Sequence, residues 1–220
     1  MGFDLADGVR FCETSGRFIF LDLARDRYSC LPAEAEPSFR RLVLGARLTS
    51  NDRQVLGDLA RDGLLRPSRR RPPLAPPDLS APDGTLVFTD REVDRAMPVR
   101  ALWRLGAAAV ELRIRPLSRI VRRLERRKRL LPGYSEDIRT ALLEVAAAFR
   151  RTELFAAPLD RCLPRSIAAF EALIDRRVPA SLVFGVRLQP FGAHCWVQHC
   201  RTLVNESVDQ VRNFTPILVI

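Results

Sequence analysis

Three short runs near the start of the chain carry the apolar density and short period of strands: Val9–Glu13, Arg17–Asp22 and Arg27–Leu31. Ser15-Gly16 and Arg25-Asp26 supply turns between them. The period then lengthens to that of a helix. Ser38–Leu44 forms one predicted helix. Ser50–Gly63 forms a second, with Ser50 or Asn51 as its cap and Gly63 as its stop. Val55, Leu56 and Leu59 make the apolar face of this second helix, and Leu64-Leu65 follow the stop.

From Pro67 to Gly84 neither period is present. Proline recurs through this stretch and removes backbone donors, which predicts an exposed, extended tether. Beyond it the helical period returns over Val99–Leu112, Leu117–Leu131, Asp137–Thr152 and Leu163–Asp175. The second of these sets Leu117, Ile120, Val121 and Leu124 on one stripe. Arg119, Arg122, Arg123, Arg126 and Arg127 fall on the other. The chain ends in strand-like runs at Ser181–Val186, His194–His199 and Leu203–Asn205. These patterns predict an α+β protein. A unit of three strands then helices covers 1–66, a proline-rich linker covers 67–97, and a larger domain covers 98–220.

At 220 residues and 47% apolar content, the chain can bury one large core or two small ones. The longest apolar candidate for a membrane span, Ala101–Ala109, is short and carries Arg104. The first residues lack the basic and apolar regions of a secretion signal, so a soluble, cytoplasmic protein is expected. The net charge is +10, nearly all of it arginine, with Lys128 the single lysine. Neither an aromatic platform nor a nucleic-acid motif accompanies the arginine runs, which argues against a nucleic-acid partner. A solvated face, or attraction to an acidic peptide or protein, accounts for them as well.

Five cysteines at irregular spacing argue against a disulfide framework. Cys195 and Cys200 could join His194 and His199 around zinc. There is no second ligand pair elsewhere, so no metal is expected. There is no P-loop either, and no cofactor is expected.

One cysteine stands apart. Cys162 precedes Pro164 by two residues, and proline is tolerated in a helix only in its first turn, so Cys162 falls at a helix start. Unpaired N–H groups and the positive dipole end there lower a thiol's pKa and can receive an oxyanion. The base would come from another element, and His194 opens a strand. A third polar group would orient the imidazole. Glu206 is the first choice, with Asn205 and Asp209 as alternatives. Cys12, Cys30, Cys195 and Cys200 read as buried small hydrophobes, and His199 as a surface histidine.

The blocks Cys162-Leu163-Pro164-Arg165-Ser166, Ala193-His194-Cys195-Trp196-Val197 and Val204-Asn205-Glu206 resemble those of the lasso-peptide leader peptidases. These are the B proteins of lasso peptide biosynthesis, with a papain- and transglutaminase-like cysteine protease domain. The resemblance covers about residues 98–220. It implies Cys162 as nucleophile and His194 as base, with Glu206 where the family usually has Asp. It also implies cleavage of a leader from a lasso precursor peptide, with an ATP-dependent macrolactam synthetase as partner. Residues 1–66 resemble the PqqD-like leader-binding domains, a small winged-helix-type fold. That likeness implies a leader strand added beside Tyr28, Ser29, Cys30 and Leu31, with apolar side chains docked on Val55, Leu56 and Leu59. An acyl transferase and a non-catalytic peptide-binding chaperone are the other classes left open.

Overall fold

A computed structural model describes residues 2–69, 74–87, 97–152 and 162–220. The fold is α+β, and it divides into two units. Met1–Asp78 with Thr215–Leu218 form the first; Leu79–Phe214 with Val219–Ile220 form the second.

In the first unit, β1 (Gly2–Leu5) is followed by β2 (Val9–Thr14), β3 (Arg17–Asp22) and β4 (Arg27–Cys30). The last three form an antiparallel sheet in the order β2-β3-β4. Ser15 and Gly16 both take positive φ (51° and 74°), which gives the two-residue turn that matches the twist of paired strands. Phe11, Phe18 and Phe20 point to one face of the sheet. Phe39 of α1 (Glu36–Val43) packs its ring against all three, with centroids 5.2, 4.9 and 5.0 Å away. Rings meeting edge to face add to the burial energy of a core this small.

The helix α2 (Ser50–Arg61) begins one residue earlier than its sequence suggested. Its cap is Thr49, whose hydroxyl accepts from the Asp52 N–H while the Asp52 carboxylate accepts from the Thr49 N–H. Ser50 and Asn51 are already inside the first turn. Asp52 is fully buried and also accepts from Ser38 and Arg41, so one carboxylate ties α1 to α2. These donors, the Thr49 backbone first among them, hold its carboxyl well below the usual range. Gly63 ends the helix at φ +81°, as its position predicted.

The tether expectation needs correction in three places. Residues 65–68 form β5, which pairs antiparallel with β1, setting Phe3 opposite Pro67. Leu74 is buried in the first unit's core. In the second unit, Leu79 packs against the core around Trp196, and the Ser80 carbonyl accepts from Gln198 Nε2 at 3.1 Å. A short strand β6 (Gly84–Thr85) then pairs parallel with β9 (Thr202–Leu203). Isolated leucines and backbone carbonyls anchor this stretch, which a search for periodicity does not register.

The second unit holds four longer helices, α3 (Met97–Ile114), α4 (Leu117–Arg129), α5 (Ile138–Thr152) and α6 (Cys162–Asp175). They precede β7 (Ser181–Arg187) and β8 (Gly192–His199), an antiparallel pair. After β9 comes the short α7 (Val208–Val211), and the unit's strands run in the order β7-β8-β9-β6; the last strand, β10 (Thr215–Val219), falls mostly in the first unit. Helix α6 is the centre of the unit and packs on β8, α3 and α5. Ala168, Ala169 and Ala172 are small enough to allow that approach, and Ile167, Phe170 and Leu173 fill the space between. Among the described residues no helix is long and apolar enough to cross a membrane.

Candidate active site

Helix α6 and strand β8 bring Cys162 and His194 together. Cys162 is the first residue of α6, and Pro164 stands in its first turn, where a missing N–H costs nothing. The Asp160-Arg161 pair before the cysteine lies outside the described residues. His194 is the third residue of β8, cross-strand from Gly185 of β7. Its ring neighbours those of Phe214 and Trp196, with centroids 5.4 and 6.3 Å away.

Gly185 makes that arrangement possible. A Cβ there would come within 2.5 Å of the Trp196 ring and 3.0 Å of Phe214. Gly185→Ala therefore forces Trp196 out of place. The expected cost is about 1–3 kcal/mol of stability, read as a lower Tm, together with a loss of activity because Trp196 flanks His194.

The electrostatics of the pair favour charge separation. Burial alone would raise the Cys162 thiol. The hydrogen bond with His194, the charge of the imidazolium and the Cys195 backbone overcome it, so the thiol lies below its ordinary 9.0. His194 moves the other way. Burial disfavours its imidazolium, but the interactions with Cys162 and Glu206 raise it from 6.5 to about 9. Both shifts favour moving the thiol proton to the imidazole.

Glu206 is the carboxylate next to the ring. Its Oε1 lies 3.3 Å from His194 Nε2. This is an ion-pair contact and not an aligned hydrogen bond, since Nε2 has no hydrogen-bond partner among the described residues. The same Oε1 accepts from Arg165 Nη2 at 2.6 Å, and that nitrogen also donates to the Asn205 carbonyl at 2.7 Å. Arg165, three residues after Cys162, thus fixes the carboxylate that faces His194.

The two alternatives for the third position are engaged elsewhere. Asn205 Oδ1 accepts from the Val197 N–H at 2.7 Å, and its Nδ2 donates to Ser166 Oγ at 2.9 Å. Ser166 in turn donates to the Cys195 carbonyl at 2.8 Å. Asn205 and Ser166 therefore lock α6 to β8 behind the pair, a role their sequence blocks did not reveal. Asp209 is exposed and pairs with Arg212.

The remaining cysteines divide. Cys12 and Cys195 are buried, and burial pushes the Cys12 thiol up to about 12 and Cys195 well above its usual value. Cys30 and Cys200 are exposed, which corrects the expectation that they pack inside. His199 is half-buried, not a surface residue, and its Nδ1 meets the Pro179 carbonyl at 2.9 Å.

In the first unit, Tyr28, Ser29 and Cys30 lie on β4, an edge of the three-stranded sheet. Leu31, Leu56 and Leu59 are buried in the core, and Val55 packs partly buried against it. The apolar face of α2 is thus largely spent on folding, which corrects its reading as an open docking face.

Residues 102–219 match the family model Transglut_core3, described as the transglutaminase-like superfamily. The match covers more than half of the chain, and the protein belongs to that superfamily. No curated protein and no solved structure matches the chain.

Proposed function

We propose that the protein is a cysteine protease that removes the leader from a ribosomally made lasso precursor peptide. The observation that carries this reading is the half-buried pair Cys162–His194 at the start of a helix, backed by the buried Glu206. Cys162 thiolate attacks the last leader carbonyl, forming an S–C bond. The Cys162 N–H at the start of α6 faces the developing oxyanion. His194 imidazolium then gives its proton to the leaving amine as the C–N bond breaks, and water hydrolyses the acyl-enzyme. The product is a free core N-terminal amine, the nucleophile that an ATP-dependent macrolactam synthetase would use next. The blocks around Cys162, His194 and Asn205-Glu206 support the lasso assignment.

The first unit is proposed to hold the leader by strand addition at β4. Leu31 N–H donates to the Phe18 carbonyl at 2.9 Å, so Phe20 and Ser29 form the next hydrogen-bonded pair. By the antiparallel alternation, the backbone groups of Cys30 turn away from β3 to the sheet edge. Cys30→Pro removes a donor there while sparing the β3–β4 ladder. The expected result is a KM about fivefold higher with kcat held, one hydrogen bond being worth roughly 1 kcal/mol. An unchanged KM would reject β4 as the docking edge.

The function is tested by mass spectrometry of a lasso precursor peptide after incubation with the protein. Cleavage at one bond, giving free leader and core, is expected. Transfer of the leader to an added amine in place of water would make the protein an acyl transferase, and an intact precursor would remove the protease reading.

A further inference from the structure

The second unit carries an apolar face that its own core does not use. Ten large apolar side chains are exposed among the described residues, and five of them lie on α3: Val99, Leu102, Trp103, Val110 and Ile114. Gly106 and Ala107 fill the turn between them, so the positions form one stripe along the helix. Trp103 is 73% exposed, whereas the chain's other tryptophan, Trp196, is 1% exposed. A stripe of this length on one helix is a surface built for contact.

The stripe does not stand on a flat surface. A cleft of about 780 Å³ lies beside it, with Trp103, Val110 and Ile114 on the α3 side and Arg123 and Arg127 on the α4 side. Those two arginines pair with Glu111, Glu171 and Asp175. Arg100 and Arg113 on α3 make no ion pair among the described residues. Nor does Arg119, one turn before Arg123 on the same face of α4. One wall of the cleft is thus apolar, and its surroundings carry uncompensated positive charge.

We infer that this cleft receives an acidic amphipathic helix of a partner protein. Its apolar side chains would cover Trp103, Val110 and Ile114, and its carboxylates would meet Arg100, Arg113 and Arg119. A second copy of the chain fits less well. Antiparallel pairing of two α3 helices about Gly106 and Ala107 would set Arg100 against Arg113, between chains that each carry +10. A lipid surface also fits less well, because seating the stripe in a bilayer would bring the α4 wall and its ion pairs out of water.

The experiment places a photoactivatable benzoylphenylalanine at position 107 of the full chain in the producing cell and identifies the cross-linked peptide by mass spectrometry. The inference expects a segment of another protein, cross-linked on the apolar side of a helix rich in Asp and Glu. A synthetic peptide of that segment should bind the purified protein. Trp103→Glu should weaken binding about tenfold or more, as should raised salt, with the alkylation rate of Cys162 unchanged as the control for folding. Cross-links to the same chain, to lipid or to nothing would overturn the inference. So would a partner segment lacking acidic residues, or binding that Trp103→Glu leaves intact.

Discussion

Cys162→Ala is expected to abolish precursor cleavage while leaving precursor binding in place. The sulfur supplies the bond on which the reaction depends, and no other thiol can substitute. Cys195 is buried and raised well above its ordinary pKa, so it stays protonated. Cys30 and Cys200 are exposed and outside the constellation. Loss of an activated nucleophile costs about 10⁴-fold or more in kcat in enzymes of this logic. The binding proposed at β4 involves a different unit and should survive, which fluorescence anisotropy of a labelled precursor would show. Cleavage retained by this variant would move the nucleophile elsewhere in the chain.

The second large effect is expected from Glu206→Gln. The amide can still accept from Arg165, so the half-buried arginine keeps a partner and the variant should fold. What is lost is the negative charge beside His194. Glu206 is one of the two groups that raise the imidazole to about 9. Its removal should lower that pKa and bring the alkaline limb of the pH–rate profile down. The expected loss is about 10²–10⁴-fold in kcat, the scale set by neutralising an orienting carboxylate. A near-normal rate with an unmoved alkaline limb would show that Glu206 is structural. Glu206→Asp adds a test of reach. The side chain is one methylene shorter, and because Arg165 holds the carboxylate from α6, the spacing to His194 should open and the rate fall between those of Gln and the parent.

Much of the architecture could be read from residue patterns, and the parts that could not have physical reasons. The strands β2 to β4 and the helices α3 to α6 are sustained periodic runs, and their ends fall within a few residues of where the period stops. By contrast β1 and β5 are four residues each, about sixty positions apart, with Pro67 inside one of them. Pairing over that separation leaves no local trace. The strand β10 likewise carries Pro216, and α7 is a single turn. At the site, the order of Cys162 and His194 and the start of α6 were legible. The choice among Asn205, Glu206 and Asp209 was not, because adjacent residues at a turn face different ways and only coordinates show which one meets the ring. Similarly, an apolar face on α2 looks the same in sequence whether it fills a core or awaits a ligand. Leu56 and Leu59 fill the core, whereas the α3 stripe of comparable character is exposed.

A proton shared between sulfur and imidazole underlies every step proposed above, and the rate of iodoacetamide alkylation across pH reads it directly. The prediction is selective labelling of Cys162 that persists on the acid side of the ordinary thiol value of 9.0, and a rate that collapses at neutral pH in His194→Ala, where burial is left to raise the thiol. A rate that tracks an unperturbed thiol, or one that His194→Ala does not change, would contradict the account.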